Sequence, residues 1–279
     1  MSGPGPGRTR TRTRALAMRA VPPSVFGTRR ATHLLERNLL VYRHTWLIIV
    51  SGFFEPVFYL LSIRIGIGHL VGSVPYGGQT VPYLEFAAPA LLASSAMNGA
   101  IYESTMNVFF KLRYDKLYDA VLATPVGPTD VALGEIAFCL LRGALYASAF
   151  LVVMLVMGLL QSWWAVLLLP AAVLVGFAFA AAGMACTTYM RSWTDFELVQ
   201  MVILPMFLLS ATFYPLSTYP PTLRVVVAVT PLYQAVALMR ALALGAVGPA
   251  SLLHAAYLGA MGAVGLLVAG RRVGQLLLS

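Results

Sequence analysis

Six stretches of the chain are apolar over lengths that match the thickness of a lipid bilayer, and this succession constrains the fold more than any other feature. They run from Trp46 to Ile67, Leu84 to Phe109, Val131 to Leu160, Val166 to Thr188, Phe196 to Phe213 and Ser251 to Gly270. A hydrocarbon core of about 30 Å is crossed by about 20 helical residues. Within it every backbone N–H and C=O needs a partner from the protein itself, which single segments of this length achieve as α-helices. Composition agrees, since 59% of the 279 residues are hydrophobic and 10% charged, against about 45–50% and about 25% in soluble domains. The expected fold is all-α and integral to a membrane, with six transmembrane helices.

The formal charge of +9 is not spread as nucleic-acid binding would require, so no nucleic-acid partner is expected. Nine of the nineteen basic residues precede residue 44, namely Arg8, Arg10, Arg12, Arg14, Arg19, Arg29, Arg30, Arg37 and Arg43. Lys111, Arg113 and Lys116 follow the second apolar stretch, Arg191 the fourth, and Arg271 with Arg272 the sixth. Basic loops remain on the cytoplasmic side, so both termini are expected there, leaving Arg224 and Arg240 in outside loops. Residues 1–23, rich in Gly, Pro, Thr and Arg, read as a disordered basic cytoplasmic tail. Residues 24–279 read as one transmembrane domain. Its first part, 24–44, places Thr28, Ala31, Leu35, Leu39 and Tyr42 opposite Arg29, Arg30, His33 and Arg37, with Leu40 interrupting the polar side. That is an amphipathic interface helix, its apolar side among acyl chains and its arginines at anionic headgroups. Membrane lipid is an expected partner.

Two further regions do not span. After the second stretch, Tyr114, Leu117, Tyr118 and Val121 recur at helical spacing opposite Arg113, Lys116 and Asp119, and Pro125, Gly127 and Pro128 end the pattern. A short amphipathic helix over about 113–124 follows, either docked in a groove of a soluble partner or floating at the interface. Between Phe213 and Ser251, Pro215, Pro220, Pro221 and Pro231 divide the apolar material into pieces too short to cross. Two short outward-side helices, at about 221–244, are expected before the last span. Small residues spaced by four, Gly176 with Ala180 and Ala255 with Gly259 and Ala263, suggest where helices pack closely.

Chemistry-bearing residues are sparse. No G-x-x-x-x-G-K-[ST] phosphate loop occurs, nor a His/Glu metal helix or a G-x-S-x-G elbow. Catalytic residues, a metal site and a bound cofactor are therefore not expected. Cys139 and Cys186 fall in apolar runs and His33, His44, His69 and His254 lack ligand spacing. What stands out is ionisable residues at membrane depth, each costing about 2.5–3.5 kcal/mol at a helix centre unless paired or hydrated. Glu55, Glu103 and Arg142 fall at overlapping depths, so Arg142 can pair with either acid. Such a pair either fixes helix packing or lines a polar path for a headgroup or sugar, with Asn98, Ser94 and Ser95 extending the same face. Glu55 precedes Pro56, which frees a carbonyl and predicts a kink in the first span.

Four segments together resemble the ABC-2 type transport permeases, in particular the nodulation-type lipo-oligosaccharide and daunorubicin-resistance exporter permeases. They are FEPVFYLLSIRIGIG, YLEFAAPALLASSAMNGAIYEST, DKLYDAVLATPVGPTDVALGE and LPMFLLSATFYPLSTYPPTLRVVVAVTPLYQAVALMR. The last carries Pro205, Phe213, Tyr214, Pro215, Pro221, Pro231 and Arg240 in the family's order, with Ser210 and Ala211 where a Ser-Gly pair is often found. The resemblance implies a permease subunit in a bacterial cytoplasmic membrane, working as a dimer with a second permease copy and bound to ABC ATPase subunits. ATP and Mg would be held by that partner, and Tyr114, Leu117, Tyr118 and Val121 would form the docking face of a coupling helix. The cargo would be an amphipathic substrate such as a lipid-linked saccharide or a hydrophobic drug. A proton- or ion-coupled secondary transporter, with Glu55 and Glu103 as proton carriers, is the alternative.

Overall fold

A computed structural model describes residues 54, 56–113, 128–192 and 194–278. The expected tail, the interface helix at 24–44, Glu55 and the docking residues Tyr114, Leu117, Tyr118 and Val121 all lie outside the described residues. What is described is mainly helical. Helix α1, Pro56–Val71, is followed by a hairpin of β1, Ser73–Tyr76, and β2, Gln79–Pro82. Helix α2, Tyr83–Tyr102, passes through a wide π-turn, Glu103–Asn107, into α3, Val108–Arg113. Then come α4, Pro128–Val156; α5, Leu168–Thr187, entered by a 3₁₀ turn at Trp163–Leu167; and α6, Asp195–Leu208. Two short helices, α7 at Pro221–Val229 and α8 at Pro231–Leu244, precede α9, Pro249–Leu278.

Among the described residues three helices are long and apolar enough to cross a membrane, beginning at Asp130, Trp163 and Pro249; α7 and α8, bent by 84°, make a fourth if counted as one broken span. The bend sits at Thr230–Pro231, where Thr230 is extended and its side chain caps α8 by accepting from the Tyr233 amide. Proline lacks the amide that would continue α7 and fits the first position of α8.

Helix α5 is the centre of the packing. Half of its apolar stretch is buried, against 28% for α4 and 22% for α9, and it touches α2, α4 and α9 along its length. Its sequence explains this: Ala171, Ala172, Ala178, Ala180, Ala181 and Gly183 let neighbouring backbones approach. At Gly265 of α9 an added Cβ would stand 2.7 Å from the Ala181 carbonyl carbon. Of the expected stripe only Ala255 packs against the core, because Gly259 has open space around its missing side chain and Ala263 is exposed. The contact runs instead along Gly262 and Gly265, against Phe177 and Ala181.

Two further features depart from the sequence reading. The hairpin is an addition to an all-α expectation: Gly77 and Gly78 adopt φ of 60° and 81°, the two-residue turn that pairs Tyr76 with Gln79. The expected fifth span, Phe196 to Phe213, ends as a helix at Leu208, and Leu209–Tyr214 turns away with Ala211 at φ 57°.

Candidate functional site

A cavity of about 790 Å³ opens between α1, α2, α4 and α6. Most of its wall is apolar, from residues such as Leu91, Ile203, Leu204 and Phe207. Helix α6 forms one side; none of its residues is fully buried, and Phe196 holds it to α3 through an edge-on contact with Phe109 at 5.1 Å between ring centres.

One patch of the wall is polar. Arg142 of α4 donates to Glu103 at 2.5 Å across the α2–α4 contact. The second carboxylate oxygen of Glu103 accepts from the Asn107 side chain at 2.6 Å. Arg142 also donates from Nε and Nη2 to the Tyr146 hydroxyl, at 3.2 and 3.1 Å, one helical turn along α4. Glu103 is thus enclosed, its side chain 6% exposed, while that of Arg142 is 24% exposed on the cavity side. Each charge at such depth is costly alone, and the pair with its hydrogen bonds offsets that cost. The pair itself is neutral, and Glu197 of α6, exposed on the same cavity, adds a further acid to the wall. Asn98 is exposed on the same wall with Ser95 beside it, whereas Ser94 turns its hydroxyl back to the Ala90 carbonyl at 2.9 Å.

Of the residues singled out in the sequence, the structure brings together Glu103, Arg142 and Asn98; Glu55 is outside the described residues. Tyr146, Asn107, Glu197 and Gln200 were missed. The i, i+4 spacing of Arg142 and Tyr146 was a readable signal for the first. Also missed was a second ion pair, Lys111 to Glu135 at 2.7 Å, near the ends of the 114–127 segment, with Lys111 above the Phe138 ring at 5.9 Å. Among the described residues no group of His, Cys, Asp and Glu is placed to hold a metal ion.

At the opposite end of the bundle Arg240 of α8 is buried, 3% exposed. It donates to the Phe86 carbonyl at 3.0 Å and to the Ala211 and Thr212 carbonyls at 3.0 and 3.3 Å. Its guanidinium lies 3.6 Å from the Phe86 ring centre and 5.7 Å from that of Tyr76. One side chain thereby ties α8 to α2, to the hairpin and to the turn after α6. Nearby, burial and the neighbouring Tyr214 push the Tyr219 phenol up to about 12, so it stays a neutral donor towards the Leu208 carbonyl, 3.4 Å away.

Known proteins resemble this sequence over most of its length. The family model described as ABC-2 type transporter matches residues 30–244. Nodulation protein J of Rhizobium meliloti (strain 1021) is 30% identical over 214 residues, covering 75% of this chain and 79% of that protein. Nodulation protein J of Rhizobium leguminosarum bv. trifolii is 32% identical over 213 residues, with 75% and 79% covered. The inner membrane transport permease YadH of Escherichia coli (strain K12) is 28% identical over 178 residues, 62% of this chain and 67% of that protein. The chain belongs to the ABC-2 type transporter family and is an integral membrane transport permease.

Proposed function

We propose that this permease is the membrane-spanning half of an ATP-driven exporter, passing an amphipathic substrate along a path that includes the α1–α2–α4–α6 cavity. The supporting observation is the cavity's division of labour: an apolar wall suited to an acyl chain or hydrophobic ring, and polar groups at Glu103, Arg142, Asn98 and Glu197 suited to a headgroup. Lipid-linked saccharides and hydrophobic drugs both have this character. The resemblance to nodulation-type exporter permeases leads us to prefer the first of these. Energy comes from a separate ABC ATPase that carries ATP and Mg and docks on Tyr114, Leu117, Tyr118 and Val121. A second permease copy completes the path, and closure of the ATPases tilts the bundles to open it outward. The chain sits in a bacterial cytoplasmic membrane with six crossings, α7 and α8 re-entrant on the outer side and both termini inside.

Co-expression with a candidate ABC ATPase subunit tests the assembly. The two proteins are expected to purify together, and Leu117→Asp with Val121→Asp to abolish the complex while leaving membrane insertion unchanged. Normal assembly and normal ATP hydrolysis by that double variant would remove the docking assignment. Transport that survives loss of the ATPase and collapses with the proton gradient would favour the secondary-transporter reading.

A further inference from the structure

Two ion pairs join the same two stretches of chain, and their spacings do not match. On α4 Glu135 and Arg142 are seven residues apart, close to two full turns, so about 20° separates them around the helix axis. Their partners Lys111 and Glu103 are eight apart, which in an unbroken α-helix sets them about 80° from one another. Both could not then face α4 squarely. The π-turn Glu103–Asn107 lies between them and takes up one residue, so that eight positions advance the helix as seven would.

A wide turn opens the regular hydrogen-bond ladder and needs support from outside it. That support comes from α5. Thr187 is fully buried, and its one hydroxyl proton is shared between the Ser104 carbonyl at 3.1 Å and the Gly183 carbonyl of its own helix at 2.9 Å. Gly183 makes the approach feasible, because a Cβ there would collide with the Ser104 hydroxyl.

We infer that Thr187 is a positioning residue for the cavity: by holding the π-turn it keeps Glu103 on Arg142 while Lys111 stays on Glu135. The two pairs are thereby linked. Restoring an ordinary α-turn without removing a residue swings one acid or base away from α4, so a shift at Lys111, next to the 114–127 segment, is delivered to the cavity wall at Glu103. This stands whether or not an ATPase docks on that segment, and its test needs no partner.

The test is thermal unfolding of the full chain in detergent micelles, with and without deletion of Met106. Deletion removes the surplus residue, so the variant is expected to insert, keep both pairs and melt at or above the parent temperature. In the parent, Thr187→Val lowers Tm by about 2–4 °C, and Thr187→Ser restores it by keeping the hydroxyl. In the Met106 deletion the same Thr187→Val change shifts Tm by under about 1 °C, because no wide turn is left to hold. A fluorine label on the Tyr146 ring reports Arg142 directly: its resonance moves with Thr187→Val in the parent and stays put in the deletion. Failure of the deletion variant to insert or fold, an equal Tm loss in both backgrounds, or a fluorine resonance indifferent to Thr187→Val in the parent would each overturn the inference.

Discussion

Arg240 shows how a buried charge is held without a carboxylate. Among the described residues none pairs with it as a salt bridge, and three carbonyl dipoles with an aromatic face stand in for a counter-ion. The planar fork reaches Phe86 with one nitrogen and Ala211 and Thr212 with another, which an ammonium at a single point does not reproduce. Arg240→Met is expected to remove the donor that these buried carbonyls share, at about 1–3 kcal/mol in all, and to lower the melting temperature in micelles by roughly 5 °C. Arg240→Lys is expected to recover less than half of that loss. Recovery to the parent Tm by Lys would mean that charge, not the fork, is what matters. Ala211 belongs to the same clasp. Its φ of 57° lies where glycine is at ease and alanine costs about 1–2 kcal/mol, which gives a physical reason for the Ser-Gly pair often found in the family. Arg240 was visible in the sequence as part of a signature, yet its role was not. Its partners lie 154, 29 and 28 positions away, and no local pattern encodes a contact at that range.

At the level of elements, legibility followed the strength of local signals. Proline at 221 and 231 marked the starts of α7 and α8, because a residue without an amide both ends one helix and begins the next. The hairpin carried its own marker in Gly77–Gly78, but it is four residues a side and was overshadowed by the apolar runs flanking it. Helix α6 is shorter than its apolar run because hydropathy does not register a backbone reversal, and Leu209–Tyr214 continues the run past the end of the helix. The π-turn left no trace in composition at all, since it is defined by which carbonyl meets which amide. Helix packing was legible in part: Gly176 and Ala180 are buried in α5 as expected, while on α9 Gly262 and Gly265 carry the contact rather than Gly259. Substituting these glycines separates the two. Gly265→Ala sets a methyl 2.7 Å from backbone of α5, where no rotamer gives relief, and is expected to cost about 1–3 kcal/mol by forcing α9 away. Gly259→Ala has space and is expected to leave Tm within about 1 °C. Equal losses at the two positions would contradict the packing described.

At the scale of the whole molecule, contacts sort the connections into two ends. Glu85 meets Gln161, and Gly245 abuts Ser162, so the start of α2, the turn before α5 and the end of α8 share one end with the hairpin. Arg272 stacks 4.3 Å from the Tyr189 ring and Lys111 pairs with Glu135, so the end of α9, the turn after α5 and the mouth of the 114–127 segment share the other. Trp163 and Trp164, 93% and 50% exposed, sit at the first end, the place where indole rings prefer a membrane–water boundary. In the proposed orientation the second end faces the cytosol, where Arg191, Arg271 and Arg272 cluster. This yields a labelling pattern with no free parameter. In a variant lacking Cys139 and Cys186, single cysteines placed at Gly78 and Gly158 are expected to react with an impermeant maleimide added to intact cells. Cysteines at Tyr118 and Ser192 are expected to react only after the membrane is opened. Reaction of the Tyr118→Cys variant in intact cells would place the proposed docking segment on the wrong side of the bilayer for a cytosolic ATPase, and reaction of all four positions from one side would contradict the two-ended arrangement of the fold itself.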